Sequence, residues 1–191
     1  MSTGPKPEFQ AWAMYLQSTL PQHELKIFSY DNDAKTHKID IAKGRDADGV
    51  VAATIGVMEL DQNPGSNAPM FTEVLMDSRG ESPGIEKILC TIAFSMFKDR
   101  WKAVPGVVVK KVMAMWRPEL EVMHVLLYPP IKWADSMDRV PVGAKTIHPL
   151  QAVPITDQEN QLILSSGLGA LEDLWTRTKC DVSDWYRRNA A

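Results

Sequence analysis

Phe9, Trp12, Ala13, Leu16 and Leu20 recur at three- and four-residue spacing, which predicts a helix with one apolar face that Pro21 ends. Two short extended segments follow, "LKIFSY" and "HKIDIA", separated by the turn-rich "DNDAKT". They predict a hairpin, and their charged flanks suit the edge of a sheet. The β-branched and small residues of "GVVAATIGVMEL" predict a strand that runs into a loop at "DQNPGSNAP", and "MFTEVLM" resumes an extended pattern. Ile85, Ile88, Leu89, Ile92, Met96 and Phe97 then form the most regular helical stripe in the chain. Ser82-Pro83 ahead of it predicts a hydroxyl cap with a proline at the first helical position.

Beyond Pro105-Gly106, "VVVKKVMAMW" and "MHVLLY" have strand length and read as antiparallel neighbours. Between Pro129 and Pro149 lies a long segment with little periodicity, of the kind that in compact domains often carries function. After "LQAVPI" the pattern turns helical in two pieces broken near "SSGLG", with Leu168, Leu171, Leu174 and Trp175 on one face of the second. A last short helix is expected at "DVSDWYRR". No internal repeat or low-complexity tract interrupts this order. The elements together predict an α+β fold, a single domain over residues 1–191 with a mixed, largely antiparallel sheet flanked by helices.

Composition narrows the function. Hydrophobic residues at 45% and charged residues at 24% place the chain among folding, globular proteins rather than disordered ones. A formal net charge of −3 provides no basic footprint for nucleic acid or anionic lipid. The N-terminus lacks the basic-then-apolar pattern of a leader, and no apolar run reaches the roughly 18 residues of a membrane span, so a cytoplasmic protein is expected. Cys90 and Cys180 are too few for a disulfide framework, and Cys90 falls inside an apolar helical pattern, as a buried thiol would.

Candidate chemistry concentrates at "QAVPITDQENQL", where Thr156, Asp157, Gln158 and Glu159 follow an apolar run. Thr-x-x-Glu at that position is a capping box, which accounts for both residue types without any reaction. His23, His37, His124 and His148 form no metal-ligand pair, and His124 alternates within an apolar strand as a core histidine does. Gly167 and Gly169 complete no phosphate-binding fingerprint, and no nucleophile elbow is present. No cofactor and no metal is expected. In the long segment, Trp133 stands among charges, where a large amphipathic ring serves either to pack the loop or to anchor a partner. Asp135, Asp138 and Arg139 would form the rim of such a contact; Asp135 and Asp138 as an acid/base pair is the weaker alternative.

Three stretches together resemble a known family. "LQAVPITDQENQLILSSGLGALEDLW" looks like the C-terminal signature of suppressor-of-fused-like domains, "FTEVLMDSRGESPGIEKILCTIAFSMFKD" is similar to their Thr-Glu strand and long helix, and "MHVLLYPP" resembles a later strand ending in prolines. The resemblance covers about residues 50–178, and "WADSMDRVPVGAKT" matches none of the family's motifs. It implies an α+β domain without catalytic residues that binds another protein. The chain is short for the two-domain animal protein, which holds a transcription factor, and suits the small bacterial members that resemble immunity proteins of polymorphic toxins. The expectation is therefore a non-enzymatic protein with a protein partner, which the likeness to the bacterial members makes a toxin domain. The alternatives are an adaptor-type binding module or a small enzyme with a site assembled from dispersed residues.

Overall fold

The extended segments that the sequence predicts assemble into a seven-stranded sheet, seen in a computed structural model that describes residues 4–20, 24–45 and 49–188. The chain runs α1 (Pro7–Thr19), β1 (Lys26–Asp31), β2 (Lys38–Arg45), β3 (Gly49–Ile55), β4 (Val74–Arg79), α2 (Ile85–Asp99), β5 (Val108–Val109) and α3 (Val112–Trp116). It continues with β6 (Val122–Tyr128), β7 (Val140–Val142), β8 (Lys145–Ile147), β9 (Leu150–Thr156), α4 (Asp157–Ser166) and α5 (Leu168–Thr178). Strand order is β1-β2-β3-β4-β9-β6-β5, with β7 and β8 forming a separate hairpin. Every pairing in the large sheet is antiparallel except β4 with β9. The α+β class and the mixed, largely antiparallel sheet are as the sequence predicts. Pro21, expected to end the first helix, and His23 lie outside the described residues.

One face of the sheet takes α2, whose Ile85, Ile88, Leu89, Ile92 and Met96 pack on Ile39, Ile41, Met76, Val125 and Leu127. The other face carries two clusters. Trp12 and Leu16 of α1 meet Val51, Leu75, Met137, Val140 and Ile147, while Leu171, Leu174 and Trp175 of α5 cover Leu126, Val153 and Ile155. Each fully buried side chain of this size contributes about 1.5–3 kcal/mol from removal of apolar surface from water. Close packing also constrains the backbone: a Cβ on Gly49 would lie 1.9 Å from the carbonyl oxygen of Ser78.

Four local expectations are corrected. The cap of α2 is Gly84, left-handed at φ 90°, so the helix starts after Pro83, and the Ser82 hydroxyl is buried without a hydrogen-bond partner. "VVVKKVMAMW" is not one strand. Lys111 turns left-handed at φ 60°, its N–H donates to Nδ1 of His124 at 2.9 Å, and α3 begins there, burying Val112 and Met113. The tail "DVSDWYRR" forms turns instead of a helix, because Asp181 and Asp184 accept from the N–H groups of Ser183 and Tyr186. Trp185 then buries itself and donates to the Asp77 carbonyl at 3.0 Å. The segment 129–149 contains the β7–β8 hairpin, turned at Gly143 with φ 60°.

Candidate partner-binding surface

The segment that joins β6 to β9 is fixed at several points. Ile131 donates its N–H to the Gln151 side chain at 2.7 Å, and Lys132 pairs with the buried Asp77 at 2.6 Å. A turn follows, in which the carbonyl of Trp133 accepts from Ser136 and Met137 at 3.0 and 2.8 Å. Met137, Val140, Val142 and Ile147 point inward against α1, Tyr15 donates its hydroxyl to the Ser136 carbonyl, and Lys145 reaches the Met58 carbonyl at 2.7 Å. Alternation explains the outcome. Residues that face the core hold the segment down, and those between them face solvent.

Trp133 is half-buried against the cluster of Trp12, whereas Asp135, Asp138 and Arg139 are exposed, with Asp138 and Arg139 4.0 Å apart. The structure thus places all four residues on one turn but gives the ring a packing role on one side. Beside this turn opens a cleft of about 320 Å³ lined by Pro105, Pro129, Pro130, Met137 and Pro149, with Asp138 at its lining. Sequence reasoning missed the cleft, since its prolines are brought together by three separate segments. Ile131, next in sequence to Pro130, is 42% exposed. The arrangement provides an apolar depression, an aromatic edge and nearby charges of both signs, which suits contact with a protein.

Several groups that could do chemistry are otherwise engaged. Glu159 N–H donates to the Thr156 hydroxyl at 3.1 Å, and the Glu159 carboxylate accepts from Thr156 N–H at 2.8 Å, completing the capping box. That carboxylate also takes Trp175 Nε1 at 2.7 Å and Arg187 at 3.0 Å, which ties the tail to α4. His124 lies 3.1 Å from Asp157 through Nε2, and with Nδ1 accepting from Lys111 neither ring nitrogen is left for a substrate. Burial pushes the Cys90 thiol up to about 12, far from a reactive thiolate. Glu73 is wholly buried, and burial pushes it up to about 7 although Thr54 Oγ1 and the N–H groups of Gly56 and Met58 donate to it. It fastens the turn after β3. Among the described residues, no group of three His, Cys, Asp or Glu side chains is placed to hold a metal ion, and no helix is long and apolar enough to cross a membrane.

Comparison with known proteins identifies the lineage. The family model described as suppressor of fused protein (SUFU) matches residues 24–188. The chain belongs to the suppressor-of-fused family. The match is wider than the stretch that motifs alone suggest, and takes in the β1–β2 hairpin and the tail with Trp185. Within curated proteins, Immunity protein YqcF of Bacillus subtilis (strain 168) is 27% identical over 168 residues, which span 86% of this chain and 88% of that protein. A putative SUFU homologue from Neisseria gonorrhoeae FA 1090 superposes with a TM-score of 0.78 at 16% identity, covering 96% of this chain and 97% of the other. A chain of the Sufu-Fu complex superposes at 0.63 and 14% identity, covering 98% and 91%. Both solved structures share the fold.

Proposed function

We propose that this chain is an immunity-type protein of the bacterial cytoplasm, which binds a cognate toxin domain directly and neutralises it without catalysing a reaction. The observation that carries this reading is the likeness to Immunity protein YqcF over 88% of that protein's length. The chemistry of the chain supports it: His124 is committed at both nitrogens, and Cys90 is held as a thiol. The contact surface in this reading is the turn bearing Trp133, Asp135, Asp138 and Arg139, beside the proline-lined cleft. Its half-buried ring is already ordered by packing, so a partner gains a rigid anchor at little entropic cost, and the flanking charges steer encounter. Neither nucleic acid nor membrane is a partner.

The test is capture. The purified chain is mixed with the toxin domain encoded in a neighbouring gene, and binding is followed on a surface at two salt concentrations. A specific complex is expected, with Asp135→Asn and Asp138→Asn slowing association more than they hasten dissociation. Absence of any complex, together with turnover of a small molecule by the chain alone, would overturn the proposal and favour an enzyme.

A further inference from the structure

The outer strand β1 is paired on one side only, and its parity is legible. Asn32 N–H donates to the His37 carbonyl at 3.0 Å, so the even-numbered residues of β1 exchange hydrogen bonds with β2. The odd-numbered residues turn their N–H and C=O groups outward. Just ahead of the strand, the outward N–H of Leu25 is taken by the Gln17 side chain at 3.2 Å, as this parity requires. Ile27, Ser29 and Asp31 have no backbone partner on that side among the described residues. Proteins usually blunt such an edge with charge, proline, a bulge or a cover, and in β1 charge stands only at the two ends, Lys26 and Asp31. Here the register is regular through all six residues, and Ile27 and Phe28 are 54% and 44% exposed.

We propose that β1 is the seam of a homodimer, pairing antiparallel with β1 of a second copy about a twofold axis at Ser29. The axis follows from the strand itself. Facing residues must share parity, and only this register brings all three outward-turned residues into bonding: Ile27 against Asp31 of the second copy, Ser29 against its own image, and Asp31 against Ile27. Centring on Phe28 would oppose Asp31 to Leu25, whose N–H is already committed, and centring on Tyr30 would run Ile27 into the turn.

Side chains and charges agree with that register. Phe28 of each copy falls opposite Tyr30 of the other, twice across the axis, a favourable cross-strand aromatic pair. On this face Phe28 borders a cleft of about 510 Å³ with Pro83, and Tyr30 borders one of about 1200 Å³ with Phe94 and Met115. Each ring therefore enters the depression beside its counterpart. Lys26 falls opposite Asn32, next to Asp33 of the second copy. Neither Lys26 nor Asp33 has an ion-pair partner among the described residues of its own chain, and the twofold supplies one at each end of the seam. A continuous sheet through both copies results. No residue of 129–149 takes part, so each copy keeps its proposed toxin-binding turn, and the seam stands whether or not a toxin is the partner.

The experiment is sedimentation velocity and light scattering of the full chain over a wide concentration range. The wild type is expected to have twice the mass of one chain. Ser29→Pro removes one outward N–H, an edge position where proline is tolerated, and should leave a folded monomer by circular dichroism. Lys26→Glu should weaken dimerisation about tenfold, from loss of two symmetric pairs, and Lys26→Glu with Asp33→Lys should restore it. A wild type that stays monomeric at every concentration overturns the proposal, as does a dimer that Ser29→Pro leaves intact. A monomer whose capture of a toxin domain is abolished by Ser29→Pro would also overturn it, and would assign the edge to a foreign strand.

Discussion

On one face of the sheet α2 lays Ile85, Ile88, Leu89, Ile92 and Met96 on β-strand residues, joined by Val112 and Met113 of α3 and by Trp185 of the tail, while the opposite face is covered by α1, the segment 129–149 and α4–α5 in turn. A helix satisfies its own backbone, so an apolar stripe suffices to seat it. Irregular segments do not, and each must be pinned by side chains. Asp77 holds Lys132, Gln151 and Ser183; Glu73 holds the turn at Gly56 and Met58; Glu159 holds Trp175 and Arg187. The two faces are thus held by different means. A face built from pinned segments can vary its exposed residues while the pins stay.

Breaking the helical face should have the largest effect. Ile88→Ala, wholly buried, is expected to cost roughly 2–5 kcal/mol, read as a lower denaturation midpoint with an unaltered slope. One pin, Glu73, should answer to pH instead. Glu73 is raised from 4.5 to about 7 by burial, so its contribution to stability is fully present below about pH 4.5 and is lost as pH rises through 7. The span is about 3 kcal/mol, and Glu73→Gln should flatten that part of the stability-pH curve.

Asp77→Ala should cost about 2 kcal/mol by leaving Gln151 and Ser183 unsatisfied. Hydrogen exchange should then quicken in 129–149 and 181–187 before the sheet opens. Equal acceleration in α2 would erase the distinction between the faces. Smallest is Thr156→Ala, about 1 kcal/mol of stability from the lost cap, with partner affinity per folded molecule unchanged.

What was legible in the sequence was local. The stripe of α2, the β1–β2 hairpin and the Thr156–Glu159 box each depend on residues a few positions apart, and the structure has all three. The four misplaced elements depend on something else. Gly84 and Lys111 adopt left-handed backbone, the partner of Lys111 is His124 on another strand, and the tail is held by Asp77 and Glu159 from far upstream. The hairpin β7–β8 is too short for its alternation to register. In the candidate site, Trp133 with its charges stood out by composition, but its support by Trp12 and Tyr15 of α1 did not, because that contact joins distant parts of the chain.

The most direct measurement of the central claim is a titration of the purified chain into the active toxin domain, with toxin activity as readout. Complete inhibition is expected at one chain per toxin, with Trp133→Ala raising the required concentration about thirtyfold, the effect of losing an anchor worth ~2 kcal/mol. Undiminished toxin activity at saturating concentrations of the folded chain would contradict it.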